Sequence, residues 1–153
     1  MVRDQARRLL PHPMIGSAPP GHVTLVNIET VLWVNTAPER QLGTVNLLGR
    51  RVDIRAHIDR VTWDFGDDSS TTTNGPGEAY SDTHPCRTKQ CPGYFGHTYT
   101  DAGTMTITAD LTWTGQFRVD GGAWQTIPGT VTAEATSTTI DVKEARGVLV
   151  PNP

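Results

Sequence analysis

Apolar and polar residues alternate along most of the chain with a period of two, the mark of strands that set one face on a core and the other in water. Between Leu47 and Ile58, the side chains of Val52, Ile54, Ala56 and Ile58 fall on one side, and those of Arg51, Asp53, Arg55 and His57 on the other. The segment GTMTITADLTWTG repeats the pattern, setting Met105, Ile107, Ala109, Leu111 and Trp113 against Thr104, Thr106, Thr108, Asp110, Thr112 and Thr114. A strand with Thr and Asp at its outer positions is expected to be wet on that face rather than buried on both. In TVTAEATSTTIDVKEA, Val131, Ala133 and Ala135 share a phase that Ile140 and Val142 do not. The odd step predicts a β-bulge near Ser137 to Thr139, or a strand that changes sheets. FRVDGGAWQTIPG predicts a hairpin, because Asp120-Gly121-Gly122 supplies the positive φ of a tight turn; Phe117, Val119, Ala123 and Trp124 would form its apolar side.

Residues 1–21 show neither period and hold Pro11, Pro13, Pro19 and Pro20 with Gly16 and Gly21. They are expected to form an extended arm or linker, either a flexible tail or a segment that docks on a neighbouring subunit. A helix over residues 2–10 would be short, and Pro11 would end it. Residues 22–147 then form the β-domain and residues 148–153 a tail. About seven short strands with turn signals between them predict an all-β, antiparallel sandwich.

Composition narrows the function classes. A chain of 153 residues is one ordinary domain, able to bury roughly 70% of the surface its unfolded form exposes, so it needs no metal simply to fold. Thirteen basic against sixteen acidic residues leave a net charge of −3, which speaks against a nucleic-acid surface. No apolar run approaches the roughly 18–20 residues of a membrane span. The opening segment MVRDQARRLLPHPMIG offers only Leu9 and Leu10 where a signal peptide needs an apolar stretch, so it is not read as a leader. Nucleophile-elbow, phosphate-loop, zinc-protease and dinucleotide motifs do not occur.

Two stretches hold candidate chemistry. VTWDFGDD at 61–68 ends a strand in glycine and three carboxylates. Such a pattern serves a tight turn, a calcium site using Asp64, Asp67 or Asp68, or a catalytic carboxylate pair. The spacing lacks the regularity of an EF-hand loop, and adjacent acids on an exposed turn supply no split of pKa values. In HPCRTKQCPGYFGH, Cys86 and Cys91 are the only cysteines of the chain and share one loop. A local disulfide, a zinc site completed by His84 and His97, and free thiols are the alternatives. His84 stands so close to Cys86 that tetrahedral closure would be awkward, and a disulfide would place the chain in an oxidising compartment.

WDFGDDS at 63–69, followed by HTYTDAGTMTITADLTW at 97–113, resembles the PKD domain, an immunoglobulin-like sandwich marked by W-D-F-G-D-G-S and then H-x-Y with an alternating strand. The likeness covers about residues 45–142. With VNIETVLWV at 26–34 and GPGEAY at 75–80, the chain is similar to small PKD-like envelope proteins of actinobacteria. Asp68 stands where the pattern has glycine, and the insertion from Asn74 to Gly96 is longer than the usual loop. The resemblance implies that Trp63 and Phe65 point into the core while Gly66 makes the sharp turn. It also implies that Asp64 and Asp67 accept backbone N–H bonds. Tyr99 would bond backbone through its hydroxyl, as in a tyrosine corner, and His97 would meet a turn carboxyl or carbonyl.

The function expected from these readings is a non-enzymatic extracellular or cell-surface module for protein–protein contact. It would be a structural subunit of a surface assembly, with residues 1–21 reaching a neighbour. The alternative is a carbohydrate-binding module that presents Tyr94 and Trp124 to a cell-wall or extracellular polysaccharide. Neither reading calls for a cofactor; calcium is the one ion the acidic turn could take.

Overall fold

The computed structural model describes residues 2–86 and 88–144. The tail expected over 148–153, and the domain boundary at 147, lie outside the described residues. The elements are α1 (Val2–Leu9), β1 (Ile15–Ala18), β2 (Val23–Leu25), β3 (Glu29–Val34), β4 (Glu39–Leu47), β5 (Arg50–Asp64), β6 (Ser70–Thr73), β7 (Gly96–Thr98), β8 (Gly103–Val119), β9 (Gln125–Glu134) and β10 (Thr138–Lys143). No helix among the described residues is long and apolar enough to cross a membrane.

The fold is all-β apart from α1 and consists of two sheets. A three-stranded sheet runs β1-β3-β7, and a seven-stranded sheet runs β2-β10-β8-β5-β4, with β6 also on β5 and β9 also on β8. Pairing is antiparallel except for β2, which lies parallel to β10. The alternation in β5 and β8 does what the pattern predicts: Val52, Ile54, Ala56 and Ile58 are buried, as are Ile107, Ala109, Leu111 and Trp113. The phase change near residue 137 is a bulge in the ladder along β8. Ala135 N–H still bonds Ala109 O, whereas Ile107 is already opposite Thr138, so the outer chain carries one residue more.

At 15 and 17 residues, β5 and β8 are much longer than the strands of the smaller sheet. Their lower halves pack against that sheet, joining Trp63, Ile107 and Trp113 to Leu32 and Val34. Their upper halves overhang it, and α1 covers the overhang by placing Ala6 against Val52, Ile54 and Ile127. The extended arm expected over residues 1–21 is therefore corrected. Residues 2–9 are helical, and residues 15–18 pair with β3. The physical reason is an exposed apolar patch on long strands, which a short helix ended by Pro11 can bury. Arg3 fastens the helix through Nη2 to Thr130 O at 2.6 Å.

β1 is held tightly. Gly16 is opposite Trp33, and a Cβ at position 16 would stand only 2.1 Å from Cε2 of that indole. Glycine is there because the ring lies across the neighbouring backbone. The hairpin of β8 and β9 also corrects one expectation. Phe117 and Val119 face the cluster under α1, but Trp124 stacks on the arginines of the opposite face, and Ala123 is exposed.

Leu10, 5% exposed at the end of the helix, tests whether this segment belongs to the domain. Leu10→Ala is expected to lower unfolding free energy by about 2–4 kcal/mol in urea. Unchanged stability would mean that the segment is detached in solution.

Candidate functional site

The acidic turn is built by its own side chains. Trp63 and Phe65 are buried, at 0% and 3% exposure, and alternate with Asp64 as β5 ends. Trp63 Nε1 donates to Thr73 Oγ1 at 3.1 Å, which ties the indole to β6. The Gly66 N–H donates to Asp64 Oδ1 at 2.9 Å, and the Ser69 N–H to Asp67 Oδ1 at 3.1 Å. Gly66 has φ 82°, and a Cβ there would lie 2.5 Å from Thr106 O, so both backbone conformation and space require glycine. Asp68 sits at φ 66°, a left-handed residue where the resembling pattern has glycine; a short polar side chain tolerates that region best after glycine itself.

His97 and Tyr99 close the turn from β7 and the segment after it. His97 Nε2 lies 2.7 Å from Asp67 Oδ2, and the imidazole stacks on Phe65 at 3.9 Å between ring centroids. Tyr99 is fully buried and donates its hydroxyl to Phe65 O at 2.8 Å. Burial, with Asp67 and Asp64 nearby, pushes the phenol well above its ordinary range. Burial also works against the charge of Asp67, but the hydrogen bonds from Ser69 and His97 outweigh it and hold the carboxyl below its usual value.

Ser69, His97 and Asp67 are thus in contact, yet they do not form a proton relay. A relay sets the nucleophile on one ring nitrogen and the orienting acid on the other. Here Nε2 faces Asp67 at 2.7 Å and Ser69 Oγ at 3.5 Å, while the Ser69 hydroxyl is bonded to Asp67 itself. The arrangement locks a turn. Two of its carboxylate oxygens accept backbone N–H groups, and no cluster of three or more metal-ligating side chains occurs among the described residues.

Cys86 and Cys91 form a disulfide, with Cα atoms 5.0 Å apart. Cys91 is buried beside Ala18 and Val31, so the bridged insertion lies over the outside of β3. The aromatics expected to face a ligand are separated and engaged. Tyr94 donates its hydroxyl to His84 O at 2.7 Å, accepts from Ser81 N–H and packs on Tyr80. Trp124 lies against the Arg55 and Arg118 guanidiniums, 4.0 and 4.7 Å from its ring centroid.

Periodicity gave no warning of the site on the outer face of the large sheet. There the register aligns Gln41, Arg55, Gln116 and Thr126 in one row across β4, β5, β8 and β9. Glu39, His57 and Thr114 make a second row beside it. Together they line an open trough of about 630 Å³. Arg55 Nε donates to Gln116 Oε1 at 2.6 Å, and the Glu39 carboxylate lies 3.5 Å from His57 Nδ1. Next to the trough Asp53 is held below its usual pKa, first by the Thr44 hydroxyl and then by Arg118. In sequence these residues are simply the wet positions of four strands; only the register brings them together.

No protein-family model, curated protein or solved structure matches the chain.

Two outcomes are expected for the turn. Tyr99→Phe leaves Phe65 O without its donor and should cost about 1–2 kcal/mol in chemical denaturation. For Asp67, a folded pKa below the unfolded value of about 3.9 gives stability that is present above that value and lost as pH falls through the folded one. Asp67→Asn should therefore be less stable at neutral pH and show a shallower loss of stability on acidification below about pH 4, read by denaturant unfolding at each pH.

Proposed function

We propose that the chain is a non-enzymatic module of the immunoglobulin-like, PKD-like sandwich type, working outside the cytoplasm in contact with another protein. Two sheets around a shared core support the fold type, and the disulfide supports an oxidising compartment. Residues 2–18 are engaged within their own domain, so an N-terminal arm is not the contacting element.

One residue carries this reading. Leu48, at the tip of the β4–β5 hairpin, is 88% exposed and has φ 51°, followed by Gly49 at φ 76°. A two-residue turn with positive φ at both positions prefers Asn, Asp or Gly, and leucine there costs roughly 1–2 kcal/mol. The residue thus breaks two local rules at once, since it is both strained and apolar in water. The hairpin beneath it is braced: Arg51 N–H donates to Asp120 Oδ1 at 3.1 Å, and Asp120 N–H donates to Arg51 O at 2.8 Å. A rigid, projecting apolar side chain fits a socket on a protein partner.

Leu48→Asn is expected to raise unfolding free energy by roughly 1 kcal/mol. A photo-crosslinking residue at position 48, in cells that make the full chain, should join it to one discrete protein, and the same probe at exposed Glu78 should not. Equal labelling from both positions would sink the proposal.

A further inference from the structure

The outer trough does not use Leu48, and its chemistry points elsewhere. Its lining residues bring hydroxyls, amides, one imidazole, one carboxylate and the guanidiniums of Arg40 and Arg55. Arg55 is fixed before any ligand arrives: Gln116 takes its Nε, and Trp124 lies over its guanidinium carbon. Among the described residues its two terminal nitrogens have no hydrogen-bond partner, and as a pair they match the two oxygens of a carboxylate. Glu39, the acid at the rim, is turned toward His57.

Direction distinguishes two kinds of carboxylate ligand. A peptide recognised by strand addition runs along a sheet edge, parallel to the strands. The row Gln41, Arg55, Gln116 and Thr126 runs across four strands and spans roughly 14 Å at about 4.8 Å per strand, the length of a short oligosaccharide. Side-chain amides and hydroxyls spaced along such a row suit successive sugar hydroxyls, which both donate and accept.

We infer that the trough is a binding site for an acidic polysaccharide, with a uronate carboxylate on the terminal nitrogens of Arg55 and sugar hydroxyls on Gln41, Gln116 and Thr126. Tyr94 has no part in it. Trp124 orients Arg55 and does not serve as a stacking platform.

The test is NMR titration and calorimetry of the full chain with oligogalacturonate and oligomannuronate. A neutral oligogalactan and a peptide of alternating Glu and Thr are the controls. At least one uronate oligomer should bind saturably and shift amides along the row. The neutral oligomer and the peptide should each bind about tenfold more weakly or worse. Arg55→Gln should weaken uronate binding about tenfold. Gln41→Ala, at an exposed position of the edge strand β4, should weaken it by a smaller factor with little change in thermal stability. The inference fails if neither uronate binds, if both variants bind like the parent, or if the neutral oligomer binds equally. Preferential binding of the acidic peptide with the same dependence on Arg55 would overturn it in favour of a protein ligand.

Discussion

The two hydrophobic clusters on the inner face of the large sheet, the acidic turn and the outer trough hang on one interaction, the antiparallel ladder that joins β5 to β8 from Asp64 and Thr108 up to Val52 and Val119. Each strand of the pair has an inner face that must be dry along its whole length and an outer face that is free to be polar. The inner face is longer than the small sheet can cover, so the chain recruits its own first helix. The outer face has no such duty. Its arginines, amides and hydroxyls are released from packing and can be arranged for a ligand. A slip of one residue in this register would exchange the two faces and lose both cores at once.

The acidic turn shows how catalytic residue types can be spent entirely on shape. Every polar group of the turn that approaches another finds a structural partner: Asp64 with Gly66, Asp67 with Ser69 and His97, and Tyr99 with the carbonyl of Phe65. The turn ends β5 at the level where the small sheet begins, because His97 belongs to β7 and Phe65 to the shared core. Holding it still fixes how the two sheets meet. The β4–β5 hairpin, which presents the strained leucine, is braced instead by the bonds of Arg50 and Arg51 to Asp120.

The alternation of β5 and β8, the bulge before Thr138 and the cysteine pair could be read directly, because each depends on neighbours in sequence. The acidic turn was legible for the same reason, since glycine beside short carboxylates is local chemistry. The docking of α1 was not. Its two buried anchors, Ala6 and Leu10, are too few to announce an amphipathic helix, and the patch they cover exists only because two distant strands outgrow their partners. Trp124 was assigned to the wrong face because the hairpin turn sets its register against Arg118, which composition cannot reveal. The trough is a product of register across four strands, and no window along the chain contains it.

The early and late parts of the chain are clasped together. β2 lies in parallel beside β10, Met14 bridges to Thr136, and His12 bonds the carbonyl of Glu134. The helix that completes the upper core rests on β9 as well as β5. Beside the local hairpins, the pairings of β5 with β8, β3 with β7 and β2 with β10 each close a long loop, which slows folding. During synthesis β1 can pair with β3 as soon as residues 29–34 follow it, but β2 must wait for β10, and α1 for Ile127 of β9, before their contacts are complete. The domain is completed by its last strands, and until they arrive its exposed apolar positions are open to a chaperone.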